Sequence, residues 1–133
     1  MLKLEIVTPE KKVVETDADS VTVPTASGEA GILPNHAPLI SALKPGILEF
    51  TNRGASERIA IAGGFVEVNH DKVTVLADSA EKADEIDATA ARADLEAAQK
   101  AIAAAATQPV EETEALREQL DLANARLQLA AGK

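Results

Sequence analysis

The chain's only imidazoles, His36 and His70, are the first places to look for chemistry, and neither brings partners with it. A nucleophile relay needs a carboxylate behind the ring and a Ser, Thr or Cys hydroxyl or thiol in front. His36 instead lies in GILPNHAPLISALKPG, Gly31 to Gly46, between Pro34 and Pro38. His70 lies in Asn-His-Asp between two alternating apolar stretches, where a hairpin turn is expected. The two histidines are 34 residues apart, without the further spaced ligands a metal site needs. There is no cysteine, which excludes a disulfide, a thiolate zinc site and a Cys nucleophile. Gly63-Gly64 invites a phosphate-loop reading, but such loops open a helix and continue into Lys and Ser or Thr. Here FVEV follows, so a bulge or a close backbone approach between strands is expected. The pairs Asp17/Asp19 and Glu111/Glu112 read as solvated turns and helix starts. The residues offer no catalytic group and no metal ligand set, so the chain reads as a non-enzyme.

The elements that would position any site come in two halves. From Leu2 to about Asp78, LKLEIVT, SVTV, ILEFT, ERIAIA, FVEVN and KVTVLAD alternate apolar and polar residues with the period of half-buried strands. Turn formers separate them: Pro24, Ser27-Gly28, Lys44-Pro45-Gly46, Asn52-Arg53-Gly54, Gly63-Gly64 and Asn69-His70-Asp71. This spacing predicts an antiparallel sandwich or barrel over residues 1–83. Residues 84–133 change character, with eleven alanines and no Gly or Pro between Ala88 and Ala106. Ala88, Ala91, Leu95, Ala98, Ile102 and Ala105 form one seam, and Leu116, Leu120, Ala123, Leu127 and Ala130 a second. Asp84 or Asp87 caps the first helix, Pro109 opens the second and Gly132 ends it, giving an antiparallel two-helix hairpin. The fold class is therefore α+β, a β-sandwich followed by a helical hairpin.

Charge and hydropathy narrow the partners. Acids outnumber bases 22 to 13, for a net charge of −9, so nucleic acid is an unsuitable partner. No apolar run approaches the ~20 residues that span a bilayer, and no direct membrane insertion is expected. Pro34 and Pro38 fix their own φ and push Leu33 and Ala37 toward extended conformations. Leu33 and Leu39 are then expected to anchor the loop in the core and hold Asn35 and His36 at its tip. Such a preorganised loop suits a docking surface. A tight sandwich corner is the other reading of the same residues.

TASGEAGILPNHAPLISALKPGILEF, followed by GGFVEV and KVTVLAD, resembles the epsilon subunit of bacterial and chloroplast F-type ATP synthases, the counterpart of mitochondrial delta. The resemblance runs through most of residues 1–82, and the helical hairpin fits the same family. It implies a ten-stranded sandwich on the foot of the gamma stalk, beside the c-ring, peripheral on the cytoplasmic face of the bacterial cell membrane. By similarity Glu29 faces the polar loops of the ring. Gly31, Ile32, Leu33, Pro34, His36 and Pro38 lie near the gamma and c-ring contacts. The hairpin of such a subunit rests on the sandwich or extends into the alpha/beta catalytic head, where it inhibits ATP hydrolysis.

Two departures qualify what the resemblance implies for the hairpin. Relatives that bind ATP between these helices carry Ile or Leu, Asp, two residues, then Arg-Ala. Here Ile86 and Asp87 match, but Ala90 stands in the arginine's place, Arg92-Ala93 comes two residues late, and Arg126 is the candidate basic residue of the second helix. No cofactor is expected, and ATP binding is doubtful. An inhibitory helix tends to be basic, whereas residues 111–133 carry Arg117, Arg126 and Lys133 against five acids, net −2. Inhibition would rest locally on Arg117 and Arg126. The alternative from another class is a free-standing sandwich that binds a small ligand, with the hairpin as a dimerisation handle.

Overall fold

A computed structural model describes residues 1–131, the side chains of 110–112 excepted. Gly132, Lys133 and the Glu111/Glu112 pair therefore lie outside the described residues. Ten strands run β1 Leu2–Val7, β2 Lys12–Ala18, β3 Ser20–Thr25, β4 Gly28–Ile32, β5 Leu39–Leu43, β6 Gly46–Asn52, β7 Ala55–Ile61, β8 Gly64–Asn69, β9 Lys72–Ala77 and β10 Ala80–Lys82. A 3₁₀ turn, Ala83–Glu85, leads to α1 Ala88–Ala104 and α2 Val110–Ala131.

Alternation marks six of these strands; β2, β4, β5 and β10 escape it. The short β4 carries two glycines, Gly28 and Gly31, and pairs only with β3, while β10 and β2 are the two sheet edges. Such strands have little apolar periodicity because they cover little core. The sheet order is β10-β7-β6-β3-β5-β8-β9-β1-β2 with β4 added on β3. Every second residue of the inner strands points into one core. Leu2, Leu4, Ile6, Val21, Val23, Leu48, Ile59, Ile61, Val66, Val68, Val73 and Val75 are almost wholly buried. Each large aliphatic side chain so placed contributes roughly 1.5–3 kcal/mol. One pairing departs from the antiparallel expectation: β1 and β9 run parallel, Lys3 opposite Lys72 through Val7 opposite Leu76. The rest of the sandwich is the connection between them, long enough to satisfy the crossover a parallel pair needs.

Local chemistry sets the turns. Arg53 and Gly54 have φ of 52° and 82°, and His70 and Asp71 have 50° and 60°. Both are two-residue hairpin turns with left-handed central residues, matching the strand twist. His70 is thus a turn residue. On the outer face of β1, Glu5 stands opposite Glu15 of β2. Lys12 lies between these like charges, 3.3 Å from Glu5 and 3.0 Å from Glu15, and Lys72 lies 3.6 Å from Glu5. The hydrogen bond from Lys12 holds the Glu5 carboxyl below the usual range. Any stability this gives is present above the ordinary carboxylate pKa and fades as pH falls through the lowered value.

Asp87 caps α1, its carboxylate accepting from the amides of Thr89 (2.9 Å) and Ala90 (3.3 Å), while Asp84 lies in the 3₁₀ turn. Ala91, Ala98, Ala105, Ala123 and Ala130 are buried along the helical seam. Ala88 is not, because it occupies the opening turn of α1 opposite the end of α2. The seam pattern also misses Ala125 and Leu129, which are buried against Ala60 and Ile86 with Ile47 and Ala83 alongside. The second helix therefore has two apolar sides, one for α1 and one for the sandwich.

Gly63 and Gly64 have φ of 120° and 129°. A Cβ on Gly64 would collide with the Leu76 carbonyl oxygen and lie 2.9 Å from the Ala77 Cα. The close backbone approach is real, and no phosphate loop exists there. Gly64→Ala is expected to destabilise the chain by at least about 3 kcal/mol, well beyond the ~1 kcal/mol of an ordinary substitution. Urea unfolding of the two proteins measures the difference.

Candidate functional site

The proline corner begins at the end of β4, and strand parity decides which of its residues are anchors. Ile32 is fully buried, so its neighbour Leu33 must point outward and is 61% exposed. The expectation that Leu33 anchors the loop is corrected, Ile32 taking that place, whereas Leu39 is partly buried and packs against the core as expected. Between them the turn closes when the His36 amide donates to the Leu33 carbonyl at 3.1 Å. Asn35 takes φ 67°, and its amide donates to the Asp71 carboxylate at 2.7 Å. The Asp71 carbonyl in turn accepts from the Lys3 amide at 2.8 Å. The corner is therefore tied to the β8–β9 turn and to β1. His36 Nδ1 lies 2.6 Å from the Ala37 carbonyl oxygen, so this ring nitrogen donates and orients the ring along its own loop. Among the described residues no cluster of three or more His, Asp and Glu is placed to hold a metal ion.

Glu29 is exposed on β4, opposite Pro24 of β3. It lines a groove of about 580 Å³ whose other walls include Lys44, Gly46, Arg58 and, from α2, Ala125 and Gln128. Gly31 is also exposed, Pro34 is half-buried and Pro38 exposed. Glu29 and the corner thus lie at opposite ends of β4 and its exit loop, offering one charged and one shaped contact.

A second surface was not legible as a site in the strand pattern. Cross-strand register places Ala42 of β5 opposite Phe65 of β8, Phe65 opposite Leu76 of β9, and Leu76 opposite Val7 of β1. Phe65 is 58% exposed and Leu76 55%, and Ile40, on the same side of β5 as Ala42, is 74% exposed. The result is an apolar stripe crossing four strands on the outer face of the sandwich. The signal was present in FVEV and KVTVLAD, whose outward positions begin or end with Phe65 and Leu76 where alternation leads one to expect polar residues.

The hairpin candidates do not converge. Ile86 is buried against Ala60, Ala91 and Leu129; Asp87 is spent on the helix cap; Arg92 is exposed. A cleft of about 450 Å³ between the helices is lined by Asp94, Ala98, Ala101, Gln119, Ala123 and Arg126, and by none of Ile86, Asp87 and Arg92. Arg126 donates from Nη1 to Asp94 at 2.9 Å and from Nη2 to Glu81 at 3.4 Å. Its Nε lies 2.9 Å from the second Glu81 oxygen but out of line for a hydrogen bond, so that contact is coulombic. Arg117 donates to Thr113 Oγ1 at 2.8 Å. Arg117 and Arg126 are nine residues apart, about two and a half turns, and leave opposite sides of α2.

Among the described residues no helix is long and apolar enough to cross a membrane. The family model described as ATP synthase, Delta/Epsilon chain, beta-sandwich domain matches residues 1–83. The ATP synthase epsilon chain of Carboxydothermus hydrogenoformans is 50% identical over 102 residues, 77% of this chain and 76% of that one. That of Geotalea daltonii is 46% identical over 101 residues, 76% of this chain and 73% of its own. Among solved structures, a chain of the Euglena gracilis mitochondrial ATP synthase (OSCP, F1 and c-ring) superposes with a TM-score of 0.73 at 27% identity, covering 98% of this chain and 79% of that one. A chain of the Tetrahymena thermophila mitochondrial ATP synthase central stalk and c-ring shares the fold, with a TM-score of 0.59 at 16% identity over 98% of this chain and 94% of its own. With more than half its length matched by the family model and a relative at 50% identity, the chain belongs to the ATP synthase delta/epsilon family.

Proposed function

We propose that this chain is the epsilon subunit of a bacterial F-type ATP synthase, a non-catalytic part of the central rotor that couples ion-driven rotation to ATP synthesis. One observation carries the reading beyond family membership: the stripe of Ile40, Ala42, Phe65, Leu76 and Val7. A monomer rarely leaves an apolar face of this extent open to water, and such faces mark protein interfaces. In this reading the stripe receives the gamma subunit. The groove beside Glu29 and the corner from Gly31 to Pro38 meet the polar loops of the c-ring. The rigidity of the corner, tied through Asn35 to Asp71, supports a contact that must transmit torque without yielding. Attachment to the cytoplasmic face of the membrane is peripheral, through these protein contacts.

The hairpin is read as a regulatory element that reaches the alpha/beta head when it leaves the sandwich. Its docked position supports a resting state in which the catalytic head is not engaged. Arg117 and Arg126 leave α2 on opposite sides, so an inhibitory contact would use one of them at a time. ATP is not a resident ligand in this reading. Arg126 is shared between two carboxylates, and Ile86 and Asp87 are occupied by packing and capping. The small-ligand module with a dimerisation hairpin is disfavoured, because the apolar side of α2 that a dimer would use is covered by the sandwich.

A tagged chain pulled from native membranes is expected to bring alpha, beta and gamma with it, and Phe65→Glu to cut that recovery tenfold or more. Because Phe65 is exposed, the variant should keep its circular dichroism, and unaltered recovery would remove the stripe from the interface. Glu29→Lys is expected to lower proton-driven ATP synthesis in membrane vesicles while the subunit stays bound; unchanged synthesis would remove Glu29 from the coupling contact. Titration of the purified chain with magnesium and ATP up to about millimolar concentration should give no saturable heat, whereas a clear isotherm would restore the hairpin as a nucleotide site.

A further inference from the structure

We propose that Arg126 is a two-armed ionic latch that holds the hairpin on the sandwich. It reaches Glu81 of β10 with one arm and Asp94 of α1 with the other. One side chain on α2 thereby joins all three layers: the sandwich edge, the first helix and the second. The other ion pairs described above stay within the sheet: Lys12 and Lys72 each reach Glu5 on the neighbouring strand, and Lys12 also reaches Glu15 on its own strand.

Two features make this contact decisive for docking. The apolar part of the interface is modest: of its six buried residues, Ala60, Ala91, Ala125 and Ala130 are alanines and Ile86 and Leu129 are large, with Ile47, Ala83 and Leu127 partly buried beside them. A methyl group yields about a quarter to a half of what a buried leucine side chain yields. The arginine, in contrast, is placed where charge counts. Its side chain is 21% exposed and that of Glu81 30%, so both are partly withdrawn from water, screened less than fully exposed charges yet still within reach of salt. Asp94, 59% exposed, completes the neutralisation. Releasing α2 separates Arg126 from Glu81 and returns both charges to water, so the contact contributes the net value of a partly shielded ion pair.

The latch also explains why α1 stays with the sandwich. Its buried residues face α2, and Asp94 gives it an ionic tie through Arg126 to the sandwich edge. Opening the latch therefore frees the hairpin as a unit, with its own helical seam intact. The regulatory meaning of the latch rests on the epsilon-subunit reading, but the docking equilibrium does not.

The absence of cysteine makes a clean assay. Ala60→Cys places a thiol beneath α2, and Ala18→Cys, in the sandwich core, reports unfolding of the sandwich. In the purified full chain, Arg126→Met is expected to speed labelling of the Ala60→Cys thiol on the order of tenfold, with the Ala18→Cys thiol unaffected. Glu81→Gln should give most of this effect, whereas Asp94→Asn should give little, because the Asp94 contact lies within the hairpin and survives its release. Raising salt from about 0.05 M to about 0.5 M should speed labelling when Arg126 is present and not in Arg126→Met. Unchanged labelling in Arg126→Met, or equal acceleration at both reporter positions, would overturn the latch. The assay needs no synthase, so its failure is distinct from a failed pull-down.

Discussion

The arrangement of the outer surface depends on one backbone contact, the passage of Gly64 against Leu76 and Ala77. No side chain fits there, and both Gly63 and Gly64 occupy backbone conformations that other residues rarely adopt. With that contact made, β8 lies between β5 and β9 in a single register, and Val66 and Val68 point inward while Phe65 points outward. A slip of one residue would bury Phe65 and Glu67 and expose two valines of the core. The glycine therefore decides where the apolar stripe runs as well as whether the sandwich closes.

The proline corner obeys the same parity. Since β4 ends with Ile32 in the core, Leu33 has to face solvent, and the loop cannot fasten itself with that leucine. It is fastened by polar contacts at its tip, Asn35 to Asp71 and Asp71 to Lys3, which join it to two other strands. The prolines restrict the chain and the hydrogen bonds locate it. The His36 ring bonds to the carbonyl of the next residue, which orients it along its own loop.

Sandwich and hairpin are stabilised by different physics. The sandwich buries a dozen large aliphatic side chains in one continuous core. The hairpin docks through alanines, the larger aliphatics Ile47, Ile86, Leu127 and Leu129, and a shared arginine. An interface built largely of alanines with an ion pair at its edge can open without unfolding either partner, because the sandwich core and the helical seam are separate from it.

The sequence by itself determined the α+β class, the six strands with clear alternation, the hairpin, the turns at Asn52-Arg53-Gly54 and Asn69-His70-Asp71, and a bulge or close backbone approach at Gly63-Gly64. Each of these follows from local period, a capping side chain or a backbone preference of one or two residues. The absence of cysteine and the presence of only two histidines were equally plain, since they need only a count of residue types. Only the tertiary structure decided that β1 and β9 run parallel, that Leu33 points out, that Phe65 and Leu76 line up with Val7 and Ala42, and that Ala125 and Leu129 meet the sandwich. It also decided that Arg126 faces Glu81 and Asp94, 45 and 32 residues away along the chain. Those facts depend on register and on contacts between distant segments, and a residue's own neighbours in sequence carry no information about which partner stands across the sheet or across the helix.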